Sequence, residues 1–135
     1  MSRLSDWDQR LAAAVAHART QPFEWGKHDC ATWAFDVRRE LTGGPDDAAL
    51  WRGRYTTPLG AQRVLRKLGW SDLETGGRNL LGDPLRFVLL AQRGDLVLGS
   101  DPEAFGVCLG AGVAFVGPDG LSFLPLSKCR LAWRT

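Results

Sequence analysis

Closely spaced cysteines are missing from this chain. Its three thiols, Cys30, Cys108 and Cys129, form no Cys-x-x-Cys pair. An odd number at wide separation argues against a disulfide framework and points to synthesis in a reducing compartment. Histidine is scarcer still, with His17 and His28 the only two. The set His28, Cys30, Cys108 and Cys129 matches no standard zinc-ligand spacing, so neither a metal nor another cofactor is expected. The opening Met-Ser-Arg-Leu-Ser-Asp-Trp-Asp has no basic region followed by a long apolar run, which predicts neither a signal peptide nor a transmembrane helix. Charge of one sign is not in excess either: a formal net charge of +2 makes no demand for nucleic acid or a membrane as partner. Internal repeats and low-complexity tracts are absent. What remains is 135 residues with 44% hydrophobic content, enough for one domain over 1–135 that buries roughly two thirds of its unfolded surface.

The most informative stretch is Trp25-Gly26-Lys27-His28-Asp29-Cys30-Ala31-Thr32-Trp33-Ala34-Phe35, a glycine-bearing loop running into an apolar-periodic helix. Asp29 reads as the N-cap and Cys30 as the first helical residue. A thiol there lies near unpaired backbone N–H groups and the positive end of the helix dipole, which favours the nucleophilic thiolate. Cys30, Ala34, Val37 and Leu41 share one helical stripe, while Arg38, Arg39 and Glu40 cluster on the other side. The sulfur thus faces the core side, which fits a nucleophile on the floor of a cleft and equally a plain buried cysteine. The negative charge of Asp29 beside it opposes the thiolate.

Taken in order, the chain opens with an amphipathic helix in which Ser5 and Asp8 suggest a capping box and Leu4, Trp7, Leu11, Val15 and Ala18 form the apolar stripe. Residues 20–27 break it, with Pro22 and Gly26 as punctuation. The Cys30 helix stops at Thr42-Gly43-Gly44-Pro45, and a short helical piece follows around 46–51. Thr57 caps another helix with Pro58 at its first position, Ala61, Val64, Leu65 and Leu68 inward, and Gly69 at its end. Residues 70–84 read as a connector with at most one helical turn, because Gly76-Gly77 and Gly82 interrupt them. Beyond, the period becomes strand-like over 86–91, 95–98, 105–109, 113–116 and 121–124, with tight spacings that favour antiparallel pairing. A helical part over 1–84 followed by a strand-rich part over 85–135 makes an α+β fold, with N-terminal helices packed on a small C-terminal antiparallel sheet.

Three motifs in this order carry a resemblance: Asp29-Cys30-Ala31 opening a helix, Arg93-Gly94-Asp95-Leu96-Val97-Leu98, and Gly106-Val107-Cys108-Leu109-Gly110. Together they resemble the NlpC-type branch of papain-like cysteine peptidases, which cleave peptidoglycan stem peptides. The resemblance implies that fold, makes Cys30 the nucleophile, and places Gly94-Asp95 at the start of the strand beside it. It also puts Ala104 where the family carries its catalytic histidine. Strand alternation groups residues 104, 106 and 108, which predicts that Cys108 faces Cys30 in place of an imidazole. His28 is the remaining candidate base, two residues before Cys30, where adjacent chain positions seldom supply the separation and orientation a nucleophile and base need. His17 lies between alanines on the first helix and reads as a surface or half-buried residue.

Three functions follow. Arg52-Gly-Arg-Tyr55 and the ending Phe115 to Leu126 resemble proteins of phage tail modules. This implies an NlpC-like component of a tail tip, catalytically impaired, carried in the virion and partnered by hub and tape-measure proteins. The alternative is an active peptidase or amidase acting on peptidoglycan through Cys30. The third is an anion- or nucleic-acid-binding module using Arg52, Arg54, Arg63, Arg66 and Lys67, a basic run that also reads as a docking face for an acidic neighbour or as a solvated helix face, and the mild net charge makes this module the weakest of the three.

Overall fold

The computed structural model describes residues 2–135. Helix α1 (Trp7–Ala18) packs on α2 (Cys30–Thr42), and α2 in turn lies across the sheet. A 3-10 turn (Asp47–Leu50), α3 (Pro58–Lys67), α4 (Leu73–Leu81) and a second 3-10 turn (Val88–Leu90) lead to five strands. These are β1 (Leu96–Gly99), β2 (Ala104–Cys108), β3 (Gly112–Gly117), β4 (Gly120–Pro125) and β5 (Leu131–Trp133), with a third 3-10 turn (Leu126–Lys128) before the last. The sheet is antiparallel throughout in the order β4-β3-β2-β1-β5. The fold is therefore α+β, helices first and sheet second.

The α2 boundaries follow from local chemistry. Asp29 accepts the Thr32 N–H at 2.9 Å, removing one of the orphan donors of the first turn. At the far end Gly43 takes a left-handed conformation (φ 67°) and returns its N–H to the Arg39 carbonyl. Between them Trp33, Ala34, Phe35, Val37 and Leu41 are all buried, so α2 is apolar over most of its circumference. It is the central helix of the domain.

Strands β1, β2, β3 and β5 bury side chains on both faces of the sheet. Leu96, Leu98, Phe105, Val107, Ala114, Val116 and Trp133 join the helices in the main core. Val97, Cys108, Val113, Phe115, Leu126, Cys129 and Ala132 form a second cluster on the reverse face, flanked by Leu85 and Val88. Cys108 therefore faces away from α2, which corrects the expectation that it looks toward Cys30. The alternation was right and its phase was not. Phe105 and Val107 take the helix side, and Gly106 is required because a Cβ there would lie 2.7 Å from the Phe115 ring.

Four boundaries also differ. Ser5 and Asp8 form no capping box: α1 starts after Asp6, whose carboxylate is taken by Arg10, and Asp8 pairs with Arg93. Residues 86–91 are not a strand but a 3-10 turn, while β5 at 131–133 was not anticipated. Residues 70–84 hold the nine-residue helix α4, capped by Asp72 on Thr75 N–H. Its glycines are packing devices rather than breakers. A Cβ at Gly76 would meet Trp70 Cε3 at 2.8 Å, and one at Gly77 would meet Trp133 Cη2 at 2.8 Å.

At the start of β1 the buried Asp95 ties the two ends of the chain together, pairing with Arg3 (2.9 Å) and Arg134 (3.2 Å) and accepting the Thr135 N–H. Among the described residues no helix is long and apolar enough to cross a membrane.

An exposed helix glycine replaced by alanine gains about 1 kcal/mol. At Gly77 the sign reverses, because Trp133 is buried and anchored by its Nε1–H on the Gly82 carbonyl. Gly77→Ala is expected to lower unfolding stability by ~1–3 kcal/mol in a urea titration; a stabilised variant contradicts this packing.

Candidate functional site

A cleft of ≈ 750 Å³ opens beside the N-terminus of α2. Its walls are mainly apolar, with Trp51, Tyr55, Trp70, Phe105 and Phe115 among them, and Cys30 lines it at the start of α2. Arg66 and Asp101 border the cleft and make no ion pair among the described residues. Glu103 also borders it, but its carboxylate accepts the Leu73 and Glu74 N–H groups at the start of α4.

This end of the cleft is built around Asp29. Its side chain is only 2% exposed and accepts three hydrogen bonds: from Gly26 N–H (2.8 Å), Thr32 N–H (2.9 Å) and the Tyr55 hydroxyl (2.5 Å). Gly26 has φ 81° and presses against the Tyr55 carbonyl, so a side chain has no room there. Its own carbonyl accepts the Gly53 N–H, and Trp51 Nε1–H donates to Thr32 Oγ1. The loop before α2 and the segment 51–55 are thereby clamped to each other across the helix start. Burial and the adjacent Asp29 carboxylate raise the Tyr55 phenol far above its ordinary range, so it remains a donor to Asp29.

Cys30 is the first residue of α2, as the sequence implies, but its ionisation runs the other way. Burial pushes the thiol up to about 11, the Phe105 backbone N–H partly offsets this, and the Asp29 charge adds to the rise. The helix terminus does not prevail over desolvation. At neutral pH the sulfur is a protonated thiol.

The structure does not bring the candidate base to it. His28 pairs through its backbone with Glu24, is 5% exposed, and does not border the cleft. Its Nε2 has no hydrogen-bond partner, and burial lowers its pKa, aided by His17 and opposed by Asp29 and Asp36. No hydrogen bond joins His28 to Cys30. His17 is exposed on α1. Ala104 reaches the cleft wall from the first position of β2 and offers only a methyl group.

The three cysteines are free, and among the described residues no cluster of three or more histidine, cysteine or acidic side chains could hold a metal. Within the basic run, Arg52 is engaged by Asp36 (2.7 Å) and Asp46 (2.8 Å), whereas Arg54, Arg63, Arg66 and Lys67 make no ion pair among the described residues. Tyr55 enters the sequence reading only as the end of the Arg52–Tyr55 motif, and its place beside Asp29 in the cleft does not. Tyr55 and Asp29 are 26 positions apart, and no local pattern couples them.

A family model described as Domain of unknown function (DUF6950) matches residues 2–135, and the chain belongs to that family. No curated protein matches it.

The neutral, buried His28 has a pH consequence. Its folded pKa is lowered, so below its ordinary value the unfolded chain takes up a proton that the folded chain does not. Stability therefore falls as pH drops from about 7 toward 5. His28→Leu is expected to flatten that slope in urea titrations at the two pH values; an unchanged slope shows that His28 is not its source.

Proposed function

We propose that this member of the DUF6950 family is an NlpC-type papain-like domain without peptidase activity, serving as a structural component of a phage tail tip. The fold part of this reading is supported by the order of parts: Asp29-Cys30 at the start of a central helix, Gly94-Asp95 leading into β1, and Gly106 in the neighbouring β2. The tail assignment rests on the resemblance of Arg52–Tyr55 and of Phe115–Leu126 to proteins of phage tail modules. The partners it implies are hub and tape-measure proteins, and its location is the virion.

One observation supports the lack of activity in this reading: Cys30 occupies the position of the nucleophile, half-buried in the cleft, yet no imidazole or carboxylate hydrogen-bonds to its sulfur. Acyl transfer needs both a thiolate and a group that returns a proton to the leaving amine. Neither is provided. The competing reading, an active peptidase using Cys30, is favoured only by the cysteine's place in the cleft.

Purified peptidoglycan separates the two. Wild type and Cys30→Ser are both expected to release muropeptide fragments at the rate of a buffer blank; release by wild type that Cys30→Ser abolishes establishes the peptidase instead. Mass spectrometry of purified tails addresses the assembly part, and absence of the chain from tails removes it.

A further inference from the structure

Strand β4 is open along one side. It pairs with β3 over its whole length, from Gly117↔Gly120 to Gly112↔Pro125. Alternate residues of an antiparallel strand turn their N–H and C=O groups away from the partner. Among the described residues none of those groups on β4 finds a second strand, and only the Pro125 carbonyl is approached, by the Cys129 thiol at 3.7 Å. Exposed edges are normally blunted by charge, proline, a bulge or a covering segment, and on β4 the one such device is Pro125 at its far end. The sequence Gly-Leu-Ser-Phe-Leu-Pro has no charge, its register has no bulge, and Phe123 and Leu124 are 45% and 43% exposed on opposite faces. The other end of the sheet is different: β5 has three residues, and Leu85 N–H caps the Ala132 carbonyl at 2.7 Å. The sheet can thus be extended from β4 alone.

Water can satisfy these exposed groups in a single copy, and an added extended strand replaces it along the whole row at once. Charge around the edge indicates which. Arg19, at the end of α1, places its guanidinium 5.3 Å from the centre of the Phe123 ring and makes no ion pair. Asp119, in the turn entering β4, is exposed and has no cation partner among the described residues. Antiparallel pairing of β4 with itself about a two-fold axis at Ser122 sets Leu121 of each copy opposite Phe123 of the other. Asp119 of each copy then falls opposite Pro125 of the other, two residues along the strand from the Phe123 that Arg19 of that copy covers. Both unpaired charges are matched, twice, and each Phe123 gains an aliphatic cross-strand neighbour.

We propose that this chain forms a two-fold dimer through β4, joining the two sheets into one. The dimer closes on itself because both copies use the same β4 edge in the contact. Since Ser122, Phe123 and Leu124 also border the cleft, the second copy stands at one end of it. The proposal does not depend on the cleft being catalytically silent. The interface is small, so association is weak and concentration-dependent.

Sedimentation equilibrium of the full chain, from low micromolar to near-millimolar concentration, is the test. Wild type is expected to show a monomer–dimer equilibrium. Phe123→Lys and Arg19→Asp, each checked for native near-ultraviolet circular dichroism, are expected to raise the dissociation constant about tenfold. Combining Arg19→Asp with Asp119→Arg is expected to restore it. A monomer at every concentration overturns the proposal. So does a dimer that neither single variant weakens, or one that the charge exchange fails to recover.

Discussion

The buried Asp29 carboxylate is the constraint on which the rest of this structure depends. A carboxylate removed from water is tolerated only when its acceptor sites are filled, and here a loop N–H, a helix N–H and a phenol fill them. Those donors come from three separate parts of the chain: Gly26 before the helix, Thr32 in its first turn, and Tyr55 in the segment after the 3-10 turn. One group therefore fixes where α2 begins, how the preceding loop enters it, and which aromatic segment closes over it. The position of Cys30, one residue on, follows from that arrangement.

The chemistry of Cys30 is a contest between two effects of the same placement. A helix N-terminus favours an adjacent anion by about 0.3–1 kcal/mol at an exposed site, less than one pKa unit. Burial against β2, with Asp29 alongside, moves the thiol from its ordinary 9.0 to about 11 in the other direction. Desolvation wins, and the geometry of a nucleophile is kept without its ionisation. His28 cannot redress this from where it sits, since its backbone is paired with Glu24 and its ring is outside the cleft. A cleft walled in part by Trp51, Trp70, Phe105 and Phe115 presents apolar surface to whatever enters it.

Much of this was legible locally. The Asp29 cap, the Gly43 stop and the Thr57-Pro58 start of α3 are short-range signals, and each is found where the residues indicate. What was not legible depends on distant partners. Gly76 and Gly77 read as breakers because their purpose, the close approach of Trp70 and Trp133, is invisible in a nine-residue window. The run 86–91 has strand composition but packs outside the sheet, leaving Phe87, Leu89 and Leu90 exposed. At β2 the alternation was readable while its phase was not, because which face meets α2 is decided by Phe105 and Val107 packing in the core and by Phe115 pressing on Gly106. The Asp29–Tyr55 bond, the centre of the site, leaves no trace in sequence spacing.

The central claim is that Cys30 is held as a neutral thiol with no base in reach. Its most direct test is the rate of alkylation of Cys30 as a function of pH in the native protein, resolved from Cys108 and Cys129 by peptide mass spectrometry. The account predicts slow modification at neutral pH and a rise only toward a midpoint of about 11. A midpoint below the ordinary 9.0 would contradict it, and would mean that a group in the cleft ionises the sulfur after all.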